Sequence, residues 1–158
     1  MTIVAPAVGA PISSWYDEIT AAVNGAAFEP VNETSDGYGE TSSSSYTSTL
    51  SGTTPLTATF VAARGWHIVT ISGRLLQYVA GPANQYMSFD VAGSGFSWGP
   101  NDDDAIECQW DFDQRTVTSS RRTKITGLTV GNSYTVTLQY KAVSGNNIGV
   151  AHRSIMIE

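Results

Sequence analysis

The run Tyr134-Thr135-Val136-Thr137-Leu138-Gln139-Tyr140-Lys141 alternates apolar and polar side chains without a break. A period of two puts Tyr134, Val136, Leu138 and Tyr140 on one side of an extended backbone, and Thr135, Thr137, Gln139 and Lys141 on the other. That pattern demands a half-buried β-strand. Before it, Gly127-Leu128-Thr129-Val130-Gly131-Asn132 reads as a turn, with glycines free to take positive φ. After it, Ser144-Gly145-Asn146-Asn147 reads as a hairpin loop feeding a last alternating run, Ile148 to Ile157. The two runs are expected to form the closing hairpin of an antiparallel β-sandwich.

The chain upstream repeats the theme at short spacing. Tyr46 to Leu50, Thr57 to Ala62, Trp66 to Leu76, Gln85 to Ala92, Ala105 to Phe112 and the more polar Arg115 to Ile125 all read as strands. In the second long run, His67, Val69, Ile71 and Gly73 share one face. With the closing pair the count is about eight, the number of a jelly roll. The predicted class is therefore all-β, an antiparallel jelly-roll-like β-sandwich.

The first 45 residues differ. Residues 1–10 are small and apolar with Pro6 and Gly9, and predict an extended arm. Pro11 to Asn24 predicts one short helix: Pro11 suits the first helical position, Ser14 with Asp17 resembles a capping box, and Asn24-Gly25 ends it. Its apolar stripe, Ile12, Tyr16, Ile19 and Val23 beside Trp15, needs a surface to cover it. That surface is its own sandwich, a neighbouring copy or another protein. Together with Ile3, Val4 and Val8 these residues make 1–25 a candidate partner-docking anchor. Residues 26–45, with Gly37-Tyr38-Gly39-Glu40 and four consecutive serines, read as a Ser/Gly-rich linker. The sandwich is then expected over 46–158.

Composition removes several functions. A net charge of −6 argues against phosphate-backbone binding, and the basic residues cluster only at Arg121-Arg122-Lys124. Nucleic acid is not an expected partner. Cys108 is the sole cysteine, which rules out an intrachain disulfide and a thiolate metal framework. The opening segment has neither a positive n-region nor a long apolar core, so no secretory signal is read there. No run approaches the length of a membrane span. Synthesis in a cytoplasm is the expectation. Asn32-Glu33-Thr34 fits a glycosylation acceptor by pattern, and is read as chance without such a signal.

Catalytic readings fare poorly against plainer ones. His67 and His152 lie inside alternating strands with no Gly-x-Ser-x-Gly elbow nearby. Cys108 sits on an apolar strand face between Glu107 and, further on, Asp111, whose charge disfavours a thiolate. Asn101-Asp102-Asp103-Asp104 offers hard oxygen ligands that suit Ca²⁺, but the spacing is not that of an EF-hand, adjacent aspartates point apart on an extended backbone, and a solvated loop is the reading preferred over Ca²⁺. No cofactor or resident metal is expected, with Asp102, Asp103 and Asp104 as the one Ca²⁺ alternative. Tyr78, Tyr86, Phe96 and Trp98, placed near loops, are candidate ligand-facing aromatics for stacking on sugar rings; such residues more often fill a core or a subunit interface.

Two stretches carry a resemblance. Thr59-Phe60-Val61-Ala62-Ala63-Arg64-Gly65-Trp66-His67-Ile68-Val69-Thr70-Ile71-Ser72-Gly73 is one. Gly127 to Val136 followed by Ala151-His152-Arg153-Ser154-Ile155-Met156-Ile157 is the other. With the Pro/Gly/Ala arm, the small helix and the Ser/Thr linker, the chain resembles small jelly-roll virion surface proteins of tailed bacteriophages: head fibres, capsid decorations and minor tail proteins. The resemblance is one of pattern over most of the chain. It implies a non-enzymatic homotrimer on the virion surface, docked through its N-terminal segment to a capsid or tail protein. It also leaves open a minor tail protein, or a tail-tip module that binds a host receptor or surface glycan through the same sandwich. No catalytic residue is implied.

Overall fold

The computed structural model describes residues 29–77, 83–110, 116–143 and 146–158. The expected arm, the helix and every anchor residue from Ile3 to Val23 lie outside them, as do Tyr78, Asp111 and Phe112. Ten strands are described: β1 (Val31–Ser35), β2 (Gly39–Thr41), β3 (Thr57–Val61), β4 (Trp66–Gln77), β5 (Ala83–Gly93), β6 (Phe96–Trp98), β7 (Ile106–Trp110), β8 (Thr116–Thr126), β9 (Ser133–Ala142) and β10 (Ile148–Ile157). They form two antiparallel sheets packed face to face, one ordered β1-β10-β4-β8 and the other β3-β9-β5-β6, with β2 on β10 and β7 on β5. From β2 onward each connection passes to the opposite sheet, except β5 to β6 to β7, which stay together. This is the strand order of a jelly roll; β2 and β6 are three-residue additions to the expected set.

Alternation dictates the core. Val69, Ile71 and Leu75 of β4 with Ile155 and Ile157 of β10 from one sheet, and Met87, Phe89 and Val91 of β5 with Val136, Leu138 and Tyr140 of β9 from the other, are buried between the sheets. Each such side chain contributes about 1.5–3 kcal/mol of transfer free energy. His67 is buried in the same layer, edge-on to Phe60 with ring centroids 5.1 Å apart.

Three expectations are corrected. The linker does not extend to residue 45: β1 pairs with β10 from Val31↔Ile157 to Ser35↔Arg153, so the sandwich begins at Val31. An open edge on β10 accepts this polar segment because only one face and one edge of β1 need a partner. Tyr46 to Leu50 is not a strand; Thr47 makes a lone bridge to Tyr140, and Ser43 and Leu56 also bond β9, extending its edge where β3 stops. Finally, β9 and β10 are not a hairpin, since they lie in different sheets. A sequence period specifies which face is buried and leaves the partner strand open.

The two ends of the sandwich differ. At one end Val31, Ile157, Trp66, Thr126, Val61 and Ser133 meet, and the turns stack: Gly127 and Leu128 donate backbone bonds to the Gly65 carbonyl, and Gly131 to Ala62. Chain entry at residue 29 is at this end. Gly93, at φ 149°, turns the chain here where a Cβ would stand 2.5 Å from the Ser133 carbonyl. Gln77, Ala83, Trp110, Thr116, Ala142 and Ile148 mark the opposite end.

Candidate functional site

The densest polar arrangement lies on the outer face of the β3-β9-β5 sheet. Tyr86 and Lys141 are cross-strand partners there. Tyr46 is brought over them because the Thr47 backbone bonds both ways with Tyr140. Asp102 arrives from the β6–β7 connection. The Lys141 ammonium stands 4.3 Å from the Tyr86 ring centroid and 4.8 Å from that of Tyr46, and pairs with Asp102 Oδ1. The Tyr46 hydroxyl donates to the same carboxylate at 2.9 Å. On the far side the Tyr86 hydroxyl and Asn84 Nδ2 both donate to Glu107 Oε1, at 3.1 and 2.8 Å.

Within this cluster the electrostatics favour a protonated Tyr46 and an ionised Asp102. Burial, and then the Asp102 carboxylate, push the Tyr46 phenol well above its ordinary range, so it stays a donor. Lys141 holds the Asp102 carboxyl below the usual carboxylate range. Asp90, further along β5, is raised by burial while accepting from Gln139 Nε2 at 2.8 Å. The cluster therefore fastens segment 43–50 and the β6–β7 connection onto the sheet. It is a clamp of satisfied groups.

The sequence-derived aromatic set is dispersed. Tyr86 is a strand residue 8 % exposed beneath Lys141. Phe96 packs edge-on against Tyr134 with centroids 5.7 Å apart, and Trp98 lies against the core beside it. Both belong to the end where the chain enters; Tyr78 lies outside the described residues. The aspartates also diverge. Asp102 faces Lys141; Asp104 accepts from Asn101 Nδ2 at 2.8 Å and from the Thr123 hydroxyl at 3.2 Å; the Asp103 carbonyl accepts from Arg121. Among the described residues, no three His, Cys, Asp or Glu side chains converge as metal ligands.

The histidines are separately committed. His67 Nε2 accepts from the Ala63 N–H at 3.2 Å, which leaves Nδ1 to donate to the Glu158 carbonyl at 3.0 Å. Burial lowers its pKa, keeping it neutral. His152 Nδ1 faces Asp36 Oδ1 at 3.2 Å on the surface. Cys108 is buried, and burial pushes its thiol up to about 11, with Glu107 adding to the shift.

Two surface features were not visible in the sequence. An open cleft of about 460 Å³ is lined by Glu40, Thr41, Ser42, Ser43, Thr47, Thr49, Ser51 and Asn147, a wall of hydroxyls with one carboxylate and one amide. Half of its residues, Glu40, Thr41, Ser42 and Ser43, come from the segment read as linker, whose serines gave a flexibility signal and no site signal. At the chain-entry end Trp66 is part-exposed with the Arg64 guanidinium 3.9 Å and the Lys124 ammonium 4.5 Å from its ring centroid. Val61 and Val130, both more than half exposed, flank the same end. No family model matches the chain, and no curated protein is significantly similar to it.

Proposed function

We propose that this chain is a non-enzymatic surface protein of a tailed-bacteriophage virion, a trimeric decoration or fibre of the head attached through its N-terminal segment. The observation that carries the reading is the asymmetry of the sandwich. The N-terminal segment joins at one end, and the exposed apolar side chains Val61, Trp66 and Val130 lie at that same end. Apolar surface beside an attachment segment suits a docked interface more than a solvated one. The opposite end, with the hydroxyl-lined cleft near the start of β10, then projects outward.

Attachment works by multivalency. Three weak anchors, each supplying Ile3, Val4, Val8, Ile12, Trp15 and Ile19 as apolar contact, gain avidity once joined in one trimer, because later contacts are effectively intramolecular. Deleting residues 1–25 is expected to leave a folded sandwich, since β1 starts at Val31, that no longer binds particles. Decoration by the truncated chain overturns the anchor.

The cleft favours a second reading, a tail-tip module that binds a host glycan, because hydroxyl, carboxylate and amide groups match the hydrogen-bonding pattern of sugars. Immunogold labelling of a tagged copy on intact particles separates the two. Label over the capsid supports decoration, label at the tail supports the receptor reading, and unlabelled particles overturn the virion proposal.

A further inference from the structure

The most demanding group in the interior is Arg153. It is 1 % exposed, and no carboxylate bonds it among the described residues. Its Nη1 donates to the Tyr140 hydroxyl at 3.2 Å and its Nη2 to Ser35 Oγ at 2.9 Å. Among the described residues its Nε–H has no partner. Tyr140 cannot balance the charge, because burial raises its pKa and keeps the phenol neutral. A guanidinium in this position has neutral partners only, and a buried charge left so is costly.

The surroundings supply what is missing. Nε and Nη2 share one edge of the planar guanidinium, the edge that takes an anion in a forked pair. Ser35 Oγ accepts from Nη2 and so has its own hydrogen to give. Thr53 Oγ1 is buried and also without a partner among the described residues. Between them lies an atom-sized space over Gly37: a methyl group there would stand 3.9 Å from Arg153 Nη2, 3.6 Å from Ser35 Oγ and 3.4 Å from Thr53 Cγ2. Rotation about χ1 of Thr53 exchanges Cγ2 for Oγ1 at that spot. The residues converge because a bulge between Ala151 and Ser154, with His152 at φ 47°, turns Arg153 inward.

We propose that the Nε/Nη2 edge of Arg153, with Ser35, Thr53 and the space over Gly37, binds one small monovalent anion of the halide class, chloride in ordinary buffers. A methyl there already meets three neighbours at 3.4–3.9 Å, contacts that suit a single-atom anion better than a tetrahedral oxyanion. The guanidinium is 1 % exposed, which disfavours a carboxylate from another chain although Gly37 is open to solvent. A water molecule would satisfy the N–H and leave the charge unbalanced. The anion joins four segments: β1, the strap at Thr53, β9 through Tyr140, and β10.

The test is thermal unfolding of the full chain, titrating chloride against gluconate at constant ionic strength. Each tenfold rise of chloride above its Kd is expected to raise the Tm by roughly 3–5 °C. Gly37→Ala is the control, because its methyl occupies the space with no contact closer than 3.4 Å, so the variant folds. It is expected to lose the chloride response. A bromide-soaked crystal is expected to give an anomalous peak within hydrogen-bonding distance of Nε. No chloride response in the wild type, or an equal response in Gly37→Ala, overturns the site. So does a bromide peak without a Tm response, which marks an adventitious ion only.

Discussion

Replacing Lys141 by Met tests whether the outer-face clamp contributes to stability. Met keeps most of the aliphatic stem and removes the charge. The ammonium sits near two aromatic rings, at 4.3 and 4.8 Å, and the Lys141 side chain is 16 % exposed. Each partly desolvated cation–π contact is worth about 1 kcal/mol. The ion pair adds about 0.5 kcal/mol, since Asp102 is half exposed and screened by solvent. The expected loss is about 2.5 kcal/mol, or roughly 5–10 °C in Tm for a chain of this size. Urea unfolding at pH 7 should show the midpoint fall with an unchanged m-value. A double-mutant cycle with Asp102→Asn should recover only the ion-pair share as coupling. Asp102 is depressed in the folded state, so its contribution is present above its unfolded pKa and disappears as the pH falls through and below about 4. A loss under about 0.5 kcal/mol would refute the clamp, because two ring contacts and an ion pair would then be worth no more than one exposed pair.

Two further outcomes follow from buried groups. His67 has a folded pKa lowered by burial, so the unfolded chain binds the extra proton first and stability falls as the pH drops below about 6.5. Between pH 7 and 5.5 the urea midpoint should report a loss of about 1 kcal/mol that is absent in His67→Gln. With its thiol at about 11, Cys108 is ionised at pH 8 to on the order of one part in a thousand. Reaction with a thiol reagent should proceed only as fast as the sandwich opens, and immediate reaction of the native protein would contradict its burial.

The interior strands were legible because each has one buried face. The period in β4 and β9 marks the core directly, from Val69 and Ile71 to Leu138 and Tyr140. Edge and covered strands were not. β1 reads Val-Asn-Glu-Thr-Ser, and its Glu33 is exposed even opposite Ile155, so no alternation survives to be read. In β5 residues 85–89 are all buried, because segment 43–50 and the β6–β7 connection cover the outer face. In β10 the extra residue at the bulge moves the inward set from Ile148 and Val150 to Arg153, Ile155 and Ile157. A strict period of two cannot anticipate that shift, and it hid the buried arginine. Asp102, Asp103 and Asp104 looked like a ligand set because adjacency in sequence says nothing of where each carboxylate finds a donor.

The position of β10 has a consequence for how the protein is made. Among the described strands the last, β10, lies between β1, the first, and β4, so the first sheet remains split until β10 has been made. Before that moment β1 has no neighbour in its sheet and β4 offers a bare edge to any passing chain. Folding of the sandwich therefore waits for β10, through pairings distant in sequence that close slowly. A chain cut before Ile148 loses the keystone between two halves, and is expected to accumulate as aggregate where one shortened by the same length before Val31 does not.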